Sequence, residues 1–313
     1  MPEQKNATYL SATEVTLGLF VDVVSAAKAW KTMEGMLAER PEGPCAWEWA
    51  SVEGERRMRR AERWLDGFTY APGISRALPS EIHPIQQVSP AAAIYFAWLL
   101  GCRLPTAAEW KAAAKTASAG QKPNLRDKTW AREQDFLRQT AGKPPLWPDS
   151  GIFWPMGLPG KTGPSAQPLT ADDDQSLWFQ PVGSAERFTH LVGNVAEFLL
   201  DMPADEQRTL AEQVASFPDQ VRGPFLRAAL LQKLEKSPRL VQVIGGSALS
   251  APEVWDGKSR PFDTPLPVGP LVAERRGYSD VGFRLAFTAP GRPLPLALCR
   301  ILGATGYLPD LQQ

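Results

Sequence analysis

Cysteine is almost missing from this chain: Cys45, Cys102 and Cys299 are three in 313 residues, odd in number and far apart. With no Cys-x-x-Cys pair, neither a disulfide framework nor a zinc site is expected. Histidine is scarcer, with only His83 and His190. No apolar run reaches the eighteen or so residues that a membrane span needs, so no membrane association is expected. Residues 1–7 are polar and lack the apolar stretch of a secretory leader. Net charge is also absent: Lys plus Arg and Asp plus Glu number 34 each, with no gross asymmetry between the halves. Such a chain has no global field to recruit nucleic acid or an acidic membrane. No glycine-rich phosphate loop of the Walker or dinucleotide type occurs. A Ser-His-Asp set can be written with Ser250 and His190, but no spacing supports it. These absences point to a reduced, cytoplasmic protein without a metal cluster, nucleotide or nucleic-acid role.

What the chain does have is apolar material and unusual punctuation. Hydrophobic residues make up 43%, enough for a sizeable core, and 30 prolines accompany 11 tryptophans. Prolines favour long ordered loops, and tryptophans supply aromatic anchors beneath or upon them. The centre of the pattern is Leu191-Val192-Gly193-Asn194-Val195-Ala196-Glu197-Phe198. Gly193 can take positive φ, and Asn194 tolerates it better than most residues. Glu197 falls among apolar neighbours, so its carboxylate needs hydrogen-bond donors or a cation. Val192, Val195 and Phe198 have the spacing of one helical face.

In chain order, Thr13-Glu14-Val15-Thr16 is β-prone, and residues 20–30 are apolar at helical spacing. The charged run 53–63 reads as a solvated helix face. Ser89 should cap a helix that has Pro90 in its first turn and spans 91–100, with Gly101 as its stop. Thr106 should cap the next helix, with Glu109 at capping-box spacing, and Cys102 reads as a small core residue. Residues 118–163 are loop-like. Residues 206–217 and 224–234 read as an amphipathic helix pair inserted within 202–239. Residues 240–246 read as a core strand. Residues 288–313 form a proline-rich tail whose apolar stretch must pack on its own domain or on a partner.

Four pieces, Arg103-Leu104-Pro105-Thr106-Ala107-Ala108-Glu109-Trp110, Gly193-Asn194-Val195-Ala196-Glu197, Ile244-Gly245-Gly246-Ser247 and Gly282-Phe283-Arg284, recur in a fixed order. In that order they resemble the formylglycine-generating enzyme (sulfatase-modifying factor) family, with its RLPTEAEW, GNVWEW, RGGSW and GFR motifs. The resemblance implies one α+β domain over 1–287 of a C-type lectin-like type, poor in regular secondary structure, followed by the tail. It also implies structural calcium, with Asp174, the carbonyls of Gly193 and Val195, and the carboxylate of Glu197 as ligands, and with His190 at the start of that loop. Asn124-Leu125-Arg126-Asp127 stands near the family's other calcium stretch.

The family's oxidases hold copper(I) with two cysteines after the Gly-Gly-Ser strand, because soft thiolates suit that ion. Here Ser250 stands at the first position and Trp255 at about the second, and Leu285 replaces a cysteine after Gly-Phe-Arg. Copper is therefore not expected. Relatives with a three-histidine iron site use more histidines than this chain contains. The resemblance then points to a non-catalytic binding or assembly module that recognises a protein or other ligand, a protein partner above all, through the loops between the two strands. Ser250, Trp255, Arg260, Phe262, Arg275, Arg276 and Tyr278 would supply the contacts, since aromatics and arginines anchor interfaces. Two alternatives stand beside it: an enzyme with a displaced site near Cys45 or Cys299, and a structural subunit of a bacterial assembly docking through insertion or tail. A ligand-binding variable protein of a diversity-generating retroelement shares Gly-Phe-Arg-Leu-Ala and is a further alternative.

Overall fold

The computed structural model describes residues 7–34, 36–37, 47–52, 55–60, 81–116, 124, 188–247, 264–268, 281–289 and 305–308. Within them lie β1 (Ala7–Ser11), α1 (Leu17–Ala26), α2 (Trp30–Met33), β2 (Trp47–Val52), β3 (Glu55–Arg60), α3 (Pro90–Leu99) and α4 (Ala107–Thr116). β4 (Ala196–Leu200), α5 (Ala204–Ala215), α6 (Asp219–Lys236), β5 (Val241–Ile244), β6 (Leu266–Pro267), β7 (Val281–Gly282), β8 (Ala286–Ala289) and β9 (Thr305–Leu308) follow. The architecture is α+β, with helices packed on small sheets rather than alternating with parallel strands. Among the described residues no helix is long and apolar enough to cross a membrane.

α3 is the hub. It is buried from Pro90 to Ala97 on every face, as expected of a helix apolar all round. Ser89 caps it by accepting from the Ala92 N–H at 3.1 Å, and Gly101 ends it at φ 66°. Phe96 stacks on Phe20 of α1 at 4.9 Å and meets Phe283 edge-on at 5.5 Å. The helix expected over 20–30 is two elements, because Lys28 turns left-handed at φ 53° between α1 and α2. The strand expected around Thr13 to Thr16 lies earlier, at β1.

The helix pair expected within 202–239 is present, and it belongs to the core. Leu210, Val214, Leu226, Leu230 and Leu234 are buried in the same cluster as Phe20 and Phe96. α6 starts at Asp219 rather than Pro224 and carries that proline internally. Its extra turn is held from outside: the Thr32 hydroxyl donates to the Asp219 carbonyl at 3.1 Å. Gly223 lies so close to α2 that a Cβ there would meet the Thr32 carbonyl at 2.4 Å.

Two sheets order the remainder. One runs β6-β5-β4-β7, antiparallel except for the parallel β4–β7 pair, with Glu197 opposite Ile244 and Gly282. The helical spacing read at Val192, Val195 and Phe198 belongs instead to a turn and β4, a strand buried at all five positions. Phe198 faces the main core while Leu199 faces a smaller cluster with Trp110, so alternation is hidden. The other sheet runs β8-β1-β9. The segment read as a tail thus returns to its own domain, with Tyr9 opposite Tyr307 and Leu10 opposite Gly306. The charged run read as a helix face is strand β3, paired with β2 from Trp47 opposite Arg60 to Val52 opposite Glu55. Cross-strand pairing there overrides the helix preference of Arg, Glu and Met.

Candidate functional site

Three of the four sequence pieces meet in one buried polar cluster, and the fourth lies beside it, with the Gly245 carbonyl accepting from the Gly193 N–H. β4 delivers Glu197, the segment after β7 delivers Arg284, α4 delivers Trp110, and the turn before β4 delivers Asn194. Glu197 and Arg284 are both 0% exposed. Arg284 Nε donates to the two Glu197 carboxylate oxygens at 2.9 and 2.7 Å, and Nη2 donates to Oε1 at 2.5 Å. The remaining donors reach carbonyls: Nη1 to Ser11 and Ala12 at 3.0 and 3.2 Å, Nη2 to Thr189 at 3.0 Å. Trp110 Nε1 donates to Glu197 Oε2 at 2.8 Å.

Asn194 organises the adjacent corner at φ 59°. Its Nδ2 donates to both oxygens of Glu14, at 3.1 and 3.2 Å, and its Oδ1 accepts from Asn124 Nδ2 at 2.9 Å. Gly193, at φ 81°, admits the Asn124 backbone where a Cβ would meet its carbonyl oxygen at 2.4 Å. Both left-handed residues are those the sequence marked for it. Burial, then the neighbouring Glu197 charge, holds the Glu14 carboxyl well above the ordinary range, with Arg284, Asn194 and Val195 pulling weakly the other way. Burial also raises Glu197, against the downward pull of Arg284 and Trp110. His190 is held down at about 4 by burial and by the Arg284 charge.

A second ion pair braces the end of α4. Arg103 grips Glu109 with two bonds of 2.7 and 2.5 Å, and Glu109 Oε2 accepts from the Thr106 N–H at 2.8 Å. The Glu109 N–H returns a bond to Thr106 Oγ1 at 3.3 Å, completing the expected capping box. Burial raises the Glu109 carboxyl, but the donors from Arg103 and Thr106 outweigh it, and the net shift is downward. Cys102 is the core residue expected, 5% exposed, its thiol pushed to about 12 by burial. A thiol so protonated is a poor nucleophile at neutral pH.

The Glu197 carboxylate, expected on calcium, accepts here from the Arg284 guanidinium and the Trp110 indole N–H. Val195 directs its N–H to Glu14, and the Gly193 N–H goes to the Gly245 carbonyl at 3.0 Å. Among the described residues no group of three or more His, Cys, Asp or Glu side chains gathers around one point. Asp174 lies outside the described residues, as do Cys45, Cys299, Ser250, Trp255, Arg260, Phe262, Arg275, Arg276 and Tyr278.

The ends of the loops that carry those residues are described. Ser247 is fully buried after β5, β6 pairs with β5 through Leu266 opposite Val243, and Val281 enters β7 fully buried. Stretches 248–263 and 269–280 therefore both begin and end on the four-stranded sheet. Between α5 and α6 lies a groove of about 960 Å³, lined in part by Leu210, Phe225, Lys233 and Lys236. Glu206 pairs with Lys233 there, leaving no concentrated charge of one sign.

Sequence reasoning missed Arg284 and Glu14 as members of the cluster. A signal existed: Glu197 and Arg284 are lone charges in apolar runs, and two such charges in one core satisfy each other. Among curated proteins none matches the chain. Its residues 3–289 match the model of the Sulfatase-modifying factor enzyme 1-like domain, and the chain belongs to that family, the formylglycine-generating enzyme and sulfatase-modifying factor family.

Proposed function

We propose that the protein is a non-catalytic binding or assembly module on a C-type lectin-like scaffold of this family. It recognises a protein partner through the loops between the Gly245-Gly246-Ser247 and Val281-Gly282-Phe283-Arg284 segments. One observation carries the reading: Ser250 stands at the first position, and Trp255 at about the second, where the oxidases carry their copper-binding cysteines. Neither side chain binds copper(I), so the thiolate pair that would hold and oxidise a substrate cysteine is missing. Cys102 does not replace it, being buried and protonated.

The rest of the signature supports the same reading, because Trp110, Asn194, Glu197 and Arg284 are consumed in holding the fold and none faces solvent. The helix pair spends its leucines on its own core and β9 pairs with β1, which favours the loop face over insertion or tail as the contact surface. Trp255, Arg260 and Arg276 are the anchors, and truncating such residues at an interface centre commonly costs about 2 kcal/mol or more each.

Copper content and oxidation of a cysteine-containing peptide are measured on the purified full chain. No stoichiometric copper and no oxidation are expected. One tight copper per chain, lost on Cys45→Ser or Cys299→Ser, puts an oxidase with a displaced site in place of this reading.

A further inference from the structure

We infer that β9 is an exchangeable strand, and that its alternative seat is β1 of a second copy of this chain. Position is the first reason. β9 (Thr305–Leu308) lies past residue 289, where the match to the family's domain ends, so the strand is an addition to that domain. Pairing is the second. Among the described residues β9 bonds to β1 alone, in four register pairs from Thr8 opposite Leu308 to Ser11 opposite Thr305, and it lies near α4.

Slack in the connection is the third. β8 and β9 flank β1 and are both antiparallel to it, so they run parallel to each other. The chain leaves Ala289, opposite Ala7, and must reach Thr305, opposite Ser11. Two strand spacings across and four residues along amount to about 16 Å. Fully extended, residues 290–304 would span about 50 Å. A connection so much longer than its gap does not confine β9 to its own β1.

Laid on the β1 of a second copy, β9 makes the same four pairs, because sequence and register are the same. The two-fold arrangement closes: each copy gives one strand and receives one, and neither β1 keeps an open edge. Concentration decides between the two seats. The tether holds β9 at an effective concentration on the order of a millimolar beside its own β1. Single chains therefore prevail in dilute solution, and exchanged pairs form when the protein folds at high concentration. Such a pair carries two loop faces, whatever those loops bind.

The test uses full chains bearing Cys45→Ser and Cys299→Ser, with Cys102 left in the core. Tyr9 and Tyr307 stand directly opposite, where β-carbons lie about 4.5–5.5 Å apart, close enough for a disulfide after a small adjustment. One chain carries Tyr9→Cys and the other Tyr307→Cys. The two are unfolded, mixed in equal amounts, refolded together and oxidised. Non-reducing electrophoresis should show a mixed dimer in excess over either like-with-like dimer. Its share should rise about tenfold between refolding at about 10 μM and at about 100 μM.

A chain carrying both changes is the control, and when dilute it should close on itself without a dimer. If the control closes while no excess of mixed dimer forms at the higher concentration, β9 is confined to its own chain and the inference is overturned. If the control does not close, β9 does not pair with β1 in solution, and the inference falls with it.

Discussion

His190 stands one residue beyond the Thr189 carbonyl that receives Arg284, at φ 52° and partly buried. Its imidazole stays neutral in the folded chain down to about pH 4, against 6.5 for an ordinary histidine. The unfolded chain takes up that proton from pH 6.5 downward while the folded chain does not. Stability present above pH 6.5 is therefore lost as the pH falls from 6.5 to about 4. After allowance for its partial exposure, the loss is roughly 2 kcal/mol. His190→Asn preserves tolerance of the left-handed backbone and should flatten this slope. Urea unfolding at several pH values inside the window checks it, and an undiminished slope assigns the loss to other groups. At this scale the sequence was legible wherever a residue's own chemistry constrained it. Gly193 and Asn194 at positive φ, Ser89 and Thr106 as caps and Cys102 in the core follow from local rules. The partner of Glu197 did not, because Arg284 lies 87 positions away and only the fold brings the two together.

Among the elements, the joint between α6 and α2 has the least room. Gly223→Ala would drive a Cβ toward the Thr32 carbonyl, with only 2.4 Å available. The two helices must part, at a cost of about 1–3 kcal/mol typical of overpacking. Leu230→Ala, on the same buried face, should cost about 2–5 kcal/mol through lost burial and the cavity left behind. Chemical denaturation measures both, and near-neutral values would show that the insertion hangs outside the core. The helix pair was readable from its apolar period, and α3 and α4 from their caps Ser89 and Thr106. β3 was not, since the run Glu-Arg-Arg-Met-Arg-Arg has the local preferences of a helix and becomes a strand only against β2. β4 was not either, because a strand buried on both faces shows no alternation.

For the whole molecule, closure depends on the chain's distant parts. β1 lies between β8 and β9, so its N–H and C=O groups on both sides are satisfied by residues from 286 onward. Removing residues 290–313 should leave β8 in place but bare one side of β1 from Thr8 to Ser11. The expected outcome is a lower unfolding midpoint with greater self-association, because an open strand edge invites pairing. Calorimetry and light scattering of the shortened chain would show it, and an unchanged midpoint would make β9 dispensable. No local pattern announces such closure, and the proline-rich approach to β9 reads as a tail until the pairing is seen.

The place of β1 also sets a clock on biosynthesis. Ser11 Oγ accepts from the Leu285 N–H, a partner 274 residues further on. At translation rates of about 5–20 residues per second, the first strand waits roughly a quarter of a minute to a minute before its neighbours exist. Leu10, fully buried in the finished protein, is exposed on the nascent chain for that whole interval. The helices can assemble during that time, but the sheet closes only once nearly all of the chain has been made. Conditions that shorten that wait or shield the N-terminal strand should therefore raise the soluble yield more than changes to the helical half.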